Sequence, residues 1–204
     1  MKKLMLMLTL MTSILMADWG NEEAVVGQNT GIKIGATYSN IVGDDVSSIN
    51  NNILGFELGV LMQHPINNQL SLQVELLFTQ KGTSQSESGE YFNSSLNYMN
   101  VPILLSFALA PNISIYGGGY LSYLVSVSLS TSIDISSSDI ERAEDDAKKS
   151  TSDIDAGFAL GAMFKLNENL LFDLRFERGF ATLDDDGDKD GFNQSFKLSA
   201  AWLF

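Results

Sequence analysis

In the string DDDGDKDG (184–191), Asp186, Asp188 and Asp190 stand two apart and Gly191 follows. Alternating carboxylates closed by a glycine turn form the opening of a calcium loop, in which hard oxygen ligands converge on one divalent ion. Such a loop needs a bidentate glutamate at its twelfth position, where this chain has Lys197. A solvated acidic loop is therefore the favoured reading, weak divalent binding is the alternative, and no metal is assigned. The single histidine, His64, adjoins the turn string HPINN (64–68), away from the long polar connections. There is no HExxH pair, nucleophile elbow or phosphate loop. With no cysteine there is neither a disulfide framework nor a thiolate metal site. The expectation is no catalytic residue, no cofactor and no enzymatic activity.

A second set of titratable residues is spaced differently. Lys33, Glu57, Glu75, Asp155, Lys165, Asp173, Arg175, Glu177 and Lys197 each sit in a stretch that alternates apolar with small or polar residues. Side chains alternate faces along a strand, so period two sorts each stretch into two sets. GIKIGATYS (31–39) sets Ile32, Ile34, Ala36 and Tyr38 against Gly31, Lys33, Gly35 and Thr37. LGFELGVLM (54–62) and LSLQVELLFT (70–79) repeat the pattern, as do YMNVPILLSF (98–107) and ISIYGGGYLSYLVS (113–126). DAGFALGAMFK (155–165), LLFDLRFERGF (170–180) and the closing SFKLSAAWLF (195–204) complete eight.

The connections alternate as well. PINNQ (65–69), APN (110–112) and LNEN (166–169) are tight turns, whereas roughly 40–53, 81–95, 130–153 and 182–193 are long and polar. The segment 137–153 has helical composition within the third long connection. Short turns at one end and long connections at the other describe an all-β fold: an eight-stranded antiparallel up-and-down barrel, whose even count lets the first and last strands meet.

The faces decide the environment. An eight-stranded bore is just wide enough for side chains to fill it. Glycines on the charged face, among them Gly35, Gly59, Gly157 and Gly161, make room there for Tyr98, Tyr116, Tyr120 and Arg175. The nine charges number four positive and five negative. Unpaired buried charge is costly, so this near-balanced set reads as a salt-bridged network filling the lumen. The opposite face is almost free of charge, with only Arg178 near one end able to extend toward an interface. An apolar exterior with a polar interior makes a transmembrane β-barrel. A soluble barrel with the apolar face turned inward is the alternative. Aromatics near the segment ends (Tyr38, Phe78, Phe107, Phe164, Phe180, Trp202 and Phe204) suit two interfacial girdles.

The chain opens MKKLMLMLTLMTSILMADWG, with Lys2 and Lys3, an apolar run, and Ala17 before Asp18. Residues 1–17 read as a secretory signal peptide, 18–29 as a short periplasmic segment and 30–204 as the barrel domain. The formal net charge of −13 argues against nucleic acid as a partner, because phosphate recognition needs clustered cations.

The strings GIKIGATYSNIVGDD, LSLQVELLFTQKG, LNYMNVPILLSF and ISIYGGGYLSYLVS resemble the PorT-like outer-membrane β-barrel family. DAGFALGAMFKLNENLLFDLRFERGFATL and the final FKLSAAWLF continue that resemblance. It implies a small barrel in the outer membrane of a diderm bacterium, and it brings no catalytic residues. The terminal strand, with Phe196, Leu198, Trp202 and Phe204, has the aromatic ending that outer-membrane barrels share as an assembly signal. The expected partners are outer-membrane lipid, the barrel-assembly machinery through that strand, and an extracellular or envelope protein at the long acidic loops. Both termini are expected in the periplasm. A non-enzymatic structural or interaction role is the first reading, a narrow channel is the second, and a lipid-modifying enzyme at the outer rim is the third.

Overall fold

The structure, a computed structural model, describes residues 29–43, 50–87, 90–131, 137–180 and 191–204. It contains β1 (Asn29–Val42), β2 (Asn50–Pro65), β3 (Leu70–Glu87), β4 (Glu90–Ala110) and β5 (Ile113–Thr131). After these come α1 (Ser137–Ser150), β6 (Ile154–Lys165), β7 (Leu170–Gly179) and β8 (Phe192–Leu203). Each strand pairs antiparallel with its sequence neighbour, and β1 pairs with β8, so the sheet closes into a barrel of eight strands. Closure runs from Gly31↔Leu203 to Val42↔Phe192, and Phe204 N donates to Thr30 O at 2.8 Å. This closed, up-and-down, all-antiparallel barrel is the fold read from the alternation. The signal peptide, the segment up to residue 28 and the acidic string 184–190 lie outside the described residues.

Two of the tight turns are built alike. In the β2–β3 turn, Asn67 Oδ1 accepts from Gln69 N and Leu70 N, both at 2.9 Å. Asn167 does the same between β6 and β7, accepting from Asn169 N at 2.9 Å and Leu170 N at 2.8 Å. A short side-chain acceptor that satisfies two backbone donors is the reason asparagine holds such turns.

The segment read as a long connection over 81–95 is mostly strand. β3 continues to Glu87 and β4 starts at Glu90, paired from Leu77↔Asn100 up to Glu87↔Glu90. Above the apolar band this hairpin is built mostly of Ser, Thr, Asn and Gln, with Phe92 and Leu96 scattered among them. The amphipathic signal therefore fades while the backbone ladder persists. The connection over 130–153 contains the helix its composition suggested, α1. Pairing of β5 with β6 stops at Tyr123↔Ile154, and α1 covers the β5 edge above it. Glu144 Oε1 accepts from Leu129 N at 2.8 Å, and Lys148 Nζ donates to Val125 O at 2.5 Å. Ala147 packs against Leu96, Tyr98, Leu124 and Val127. An edge strand left open is a template for unwanted pairing, and a docked helix blunts it.

Inward glycines on β6 seat the lumen aromatics. A Cβ at Gly161 would lie 2.4 Å from Tyr116 Cζ and 2.5 Å from the carbonyl oxygen of Leu174. At Gly157 it would lie 2.6 Å from Tyr120 Cε1. Gly161→Ala is expected to destabilise the barrel by about 1–3 kcal/mol through overpacking. Urea unfolding in lipid vesicles measures it, and an unchanged midpoint would show that the ring has room to move.

Candidate functional site

Period two places one charged residue after another on the inner wall, and closure brings them together. Lys33 (β1), Glu57 (β2), Glu75 and Lys81 (β3), Asp155 (β6), Asp173, Arg175 and Glu177 (β7) and Lys197 (β8) all point inward, none more than 1 % exposed. Arg175 grips Glu75 in a two-pronged pair, Nη2 to Oε1 at 2.6 Å and Nη1 to Oε2 at 2.9 Å. Its Nη2 also donates to Asp173 Oδ2 at 2.9 Å, and its Nε to Tyr116 Oη at 2.9 Å. Lys33 joins Asp173, and also Glu75 at 3.3 Å and Glu57 at 3.7 Å. Lys197 lies 2.8 Å from Glu177 and 3.1 Å from Glu57, whose Oε1 accepts from Ser199 Oγ at 2.5 Å.

Glu177 links this centre to a second layer toward the long connections. Lys81 pairs with Glu177 at 3.2 Å and Asp155 at 3.3 Å, and its ammonium lies 4.3 Å from the ring centroid of Tyr120. Tyr120 Oη and Asn193 Nδ2 donate to Asp155 Oδ2 at 3.2 and 2.9 Å. In a ring of eight strands β3 and β7 lie opposite one another. Glu75–Arg175 and Lys81–Glu177 therefore reach across the full bore from opposite walls.

Apolar clusters close both ends of the polar layer. Toward the tight turns, Leu61, Leu104, Met163, Leu171 and Leu203 pack inside the barrel with Tyr116. Toward the long connections Leu96, Leu124 and Val127 pack with Tyr98, beneath Ala147 of α1. Dry walls above and below lower the local dielectric, which strengthens satisfied ion pairs and penalises any that are broken.

Eight of the nine residues read as lumen charges lie in this network. Lys165 does not: it is exposed at the tight-turn end of β6, where alternation carries the side chain past the end of the bore. Lys81 stands in its place, so the balance is still four positive charges to five negative. Lys81 falls on the inward parity of Glu75, Leu77 and Thr79, and extending that period by one step of two residues beyond Thr79 would have found it. Asp186, Asp188 and Asp190 lie outside the described residues. Among the described residues no group of three or more histidine and carboxylate side chains could hold a metal ion. His64 sits next to Pro65 at the tight-turn end of β2.

The opposite face is hydrocarbon. Ile34 is 62 % exposed, Leu174 59 % and Leu198 60 %, within an apolar surface that runs around every strand. Water-soluble proteins do not expose a band of this extent. On β3 it runs from Leu70 to Phe78, matching the about 9–11 residues a tilted membrane strand needs. It ends at a polar ladder: Gln80 Nε2 donates to Asn97 Oδ1 at 3.2 Å, and Asn97 Nδ2 to Ser126 Oγ at 3.1 Å. Phe196, Leu198, Trp202 and Phe204 of the last strand all face outward. Tyr38, Phe158, Phe176, Phe180 and Phe196 gather toward the long connections. Phe107, Phe164, Trp202 and Phe204 gather toward the tight turns.

A closed sheet, apolar outside and packed with ion pairs inside, defines a transmembrane β-barrel. Residues 23–185 match the family described as "Outer membrane protein beta-barrel domain", and the chain belongs to that family. Among solved structures, Neisserial surface protein A shares the fold with a TM-score of 0.55 at 13 % identity, over 88 % of this chain and 100 % of its own. Ail, the attachment invasion locus protein of Yersinia pestis, does so with a TM-score of 0.53 at 18 % identity and the same coverage. At such identities the likeness concerns the fold alone. No curated protein matches the chain.

Proposed function

We propose that this protein is a non-enzymatic outer-membrane scaffold, PorT-like in sequence, that presents its long-connection end as an interaction surface and conducts nothing. The observation that carries this reading is the double closure of the bore. Opposed ion pairs span the bore, and an apolar cluster seals each side of them. The mature domain is taken as 30–204, after a cleaved leader (1–17) and a short periplasmic segment (18–29). In this orientation both termini and the tight turns face the periplasm, and the long acidic connections and α1 face outward. Phe196, Leu198, Trp202 and Phe204 then form the strand that the assembly machinery engages.

α1 carries Asp139, Glu141, Glu144, Asp145 and Asp146 against Arg142, Lys148 and Lys149. Ail has been solved with the heparin analogue sucrose octasulfate. The surplus of carboxylates on α1 and the chain's net charge of −13 favour a basic or neutral envelope or extracellular protein over such a polyanion here. A lipid-modifying enzyme built on a Ser/His or Asp/His site would need its histidine at the outer rim, and the single histidine, His64, is at the opposite end.

Protease shaving of intact cells tests the orientation. Cleavage is expected in the long connections only, and cleavage at the tight turns would reverse it. In planar bilayers the purified protein is expected to give no stable single-channel openings. Steady unitary currents would overturn the sealed-lumen reading in favour of the channel.

A further inference from the structure

Among the described residues of the apolar band, Arg178 is the one charged side chain that faces outward. It lies one residue short of the end of β7, at the long-connection border of the band, where lipid headgroups begin. Its Nη1 donates to Gln194 Oε1 at 3.1 Å, and its guanidinium carbon lies 5.6 Å from the ring centroid of Phe192. Directly across the ladder on β6 is Phe158. Phe158 is 6.0 Å from Phe176 and 6.1 Å from Phe180, and Phe176 is 5.0 Å from Phe196, giving a continuous aromatic shelf over β6–β8. The nearest carboxylates along these strands, Glu177 and Asp155, point into the lumen and are committed to Lys81 and Lys197. A neutral amide is thus the polar partner that the described residues offer this cation.

A charge at a hydrocarbon border needs a counter-charge or water to remain there. The planar fork of a guanidinium fits the oxygens of a phosphate, and the phenylalanines supply a wall for an acyl chain. We propose that Arg178 and this shelf bind the phosphate of an anionic lipid in the leaflet at the long-connection end. The lipid's chains lie along Phe158, Phe176 and Phe196, which are level with Arg178 or on its bilayer side. The proposal rests on the lipid-facing assignment of the outer surface, which the Leu174→Arg experiment below tests separately.

Native mass spectrometry of the full chain in neutral detergent is the test, with phosphatidic acid as probe and diacylglycerol of the same chains as control. The wild type is expected to retain phosphatidic acid over diacylglycerol, and Arg178→Gln to weaken that retention about ten-fold, as loss of a charge-assisted pair implies. Arg178→Lys, which keeps the charge but loses the fork, is expected to fall between them, and it carries the test should the glutamine variant fail to fold. Equal retention by wild type and variants would overturn the proposal. So would equal retention of diacylglycerol, or displacement of the lipid by millimolar inorganic phosphate, which would make this a site for free anions.

Discussion

Arg175→Met is expected to destabilise the folded barrel by about 3–5 kcal/mol, the cost of leaving a buried charge without its partner. The guanidinium meets Glu75 twice and also Asp173, Tyr116 and Glu177. Its removal leaves Glu75 and Asp173 sharing Lys33 in a space closed to water at both ends. Methionine fills a comparable volume, so the loss reports on charge more than on a cavity. Urea titration in phospholipid vesicles, followed by tryptophan fluorescence, measures it. The double variant with Glu75→Gln is expected to lose less than the sum of the two single variants, because the two side chains form one interaction. A loss below about 1 kcal/mol for Arg175→Met would mean that water or mobile ions reach the site, contrary to the sealed bore.

The second large effect is expected on the outer face. Leu174 faces outward on β7 between Phe172 and Phe176, with Ala162 and Leu198 as its ladder partners. Leu174→Arg places a guanidinium in the hydrocarbon, at a cost of about 2–4 kcal/mol near the bilayer centre. Were this outward face bathed in water instead, the same substitution would fall at a solvated position and change stability by about 0.5 kcal/mol or less. Unfolding midpoints in lipid vesicles separate the two cases. A neutral result would remove the membrane assignment, and the proposed lipid site at Arg178 with it.

Much of this protein can be read from the chain alone, because period two is a local property. Gly-Ile-Lys-Ile-Gly already sorts β1 into an apolar side and a glycine-and-lysine side, since the strand's geometry leaves its side chains no third direction. The tight turns identify themselves through asparagine and proline, and their alternation with long connections implies an even, closed meander. Lys33, Glu57, Glu75, Asp155, Asp173, Arg175, Glu177 and Lys197 could be assigned to the lumen for the same reason.

What alternation cannot supply is who meets whom. The Glu75–Arg175 pair joins residues 100 positions apart across the diameter of the bore, and it depends on the register of every ladder between them. The same holds at the ends of the strands. Lys165 has the inward parity yet passes the end of the bore, while Lys81 has a polar neighbourhood that hides a strand. The apolar seals are likewise scattered over the inward face until closure gathers Leu61, Met163, Leu171 and Leu203 at one level. The sequence by itself determined the faces, because each residue's side follows from its immediate neighbours. Only the closed barrel decided the pairs, the seals and the height at which each side chain sits, because those follow from the stagger of eight strands around one ring.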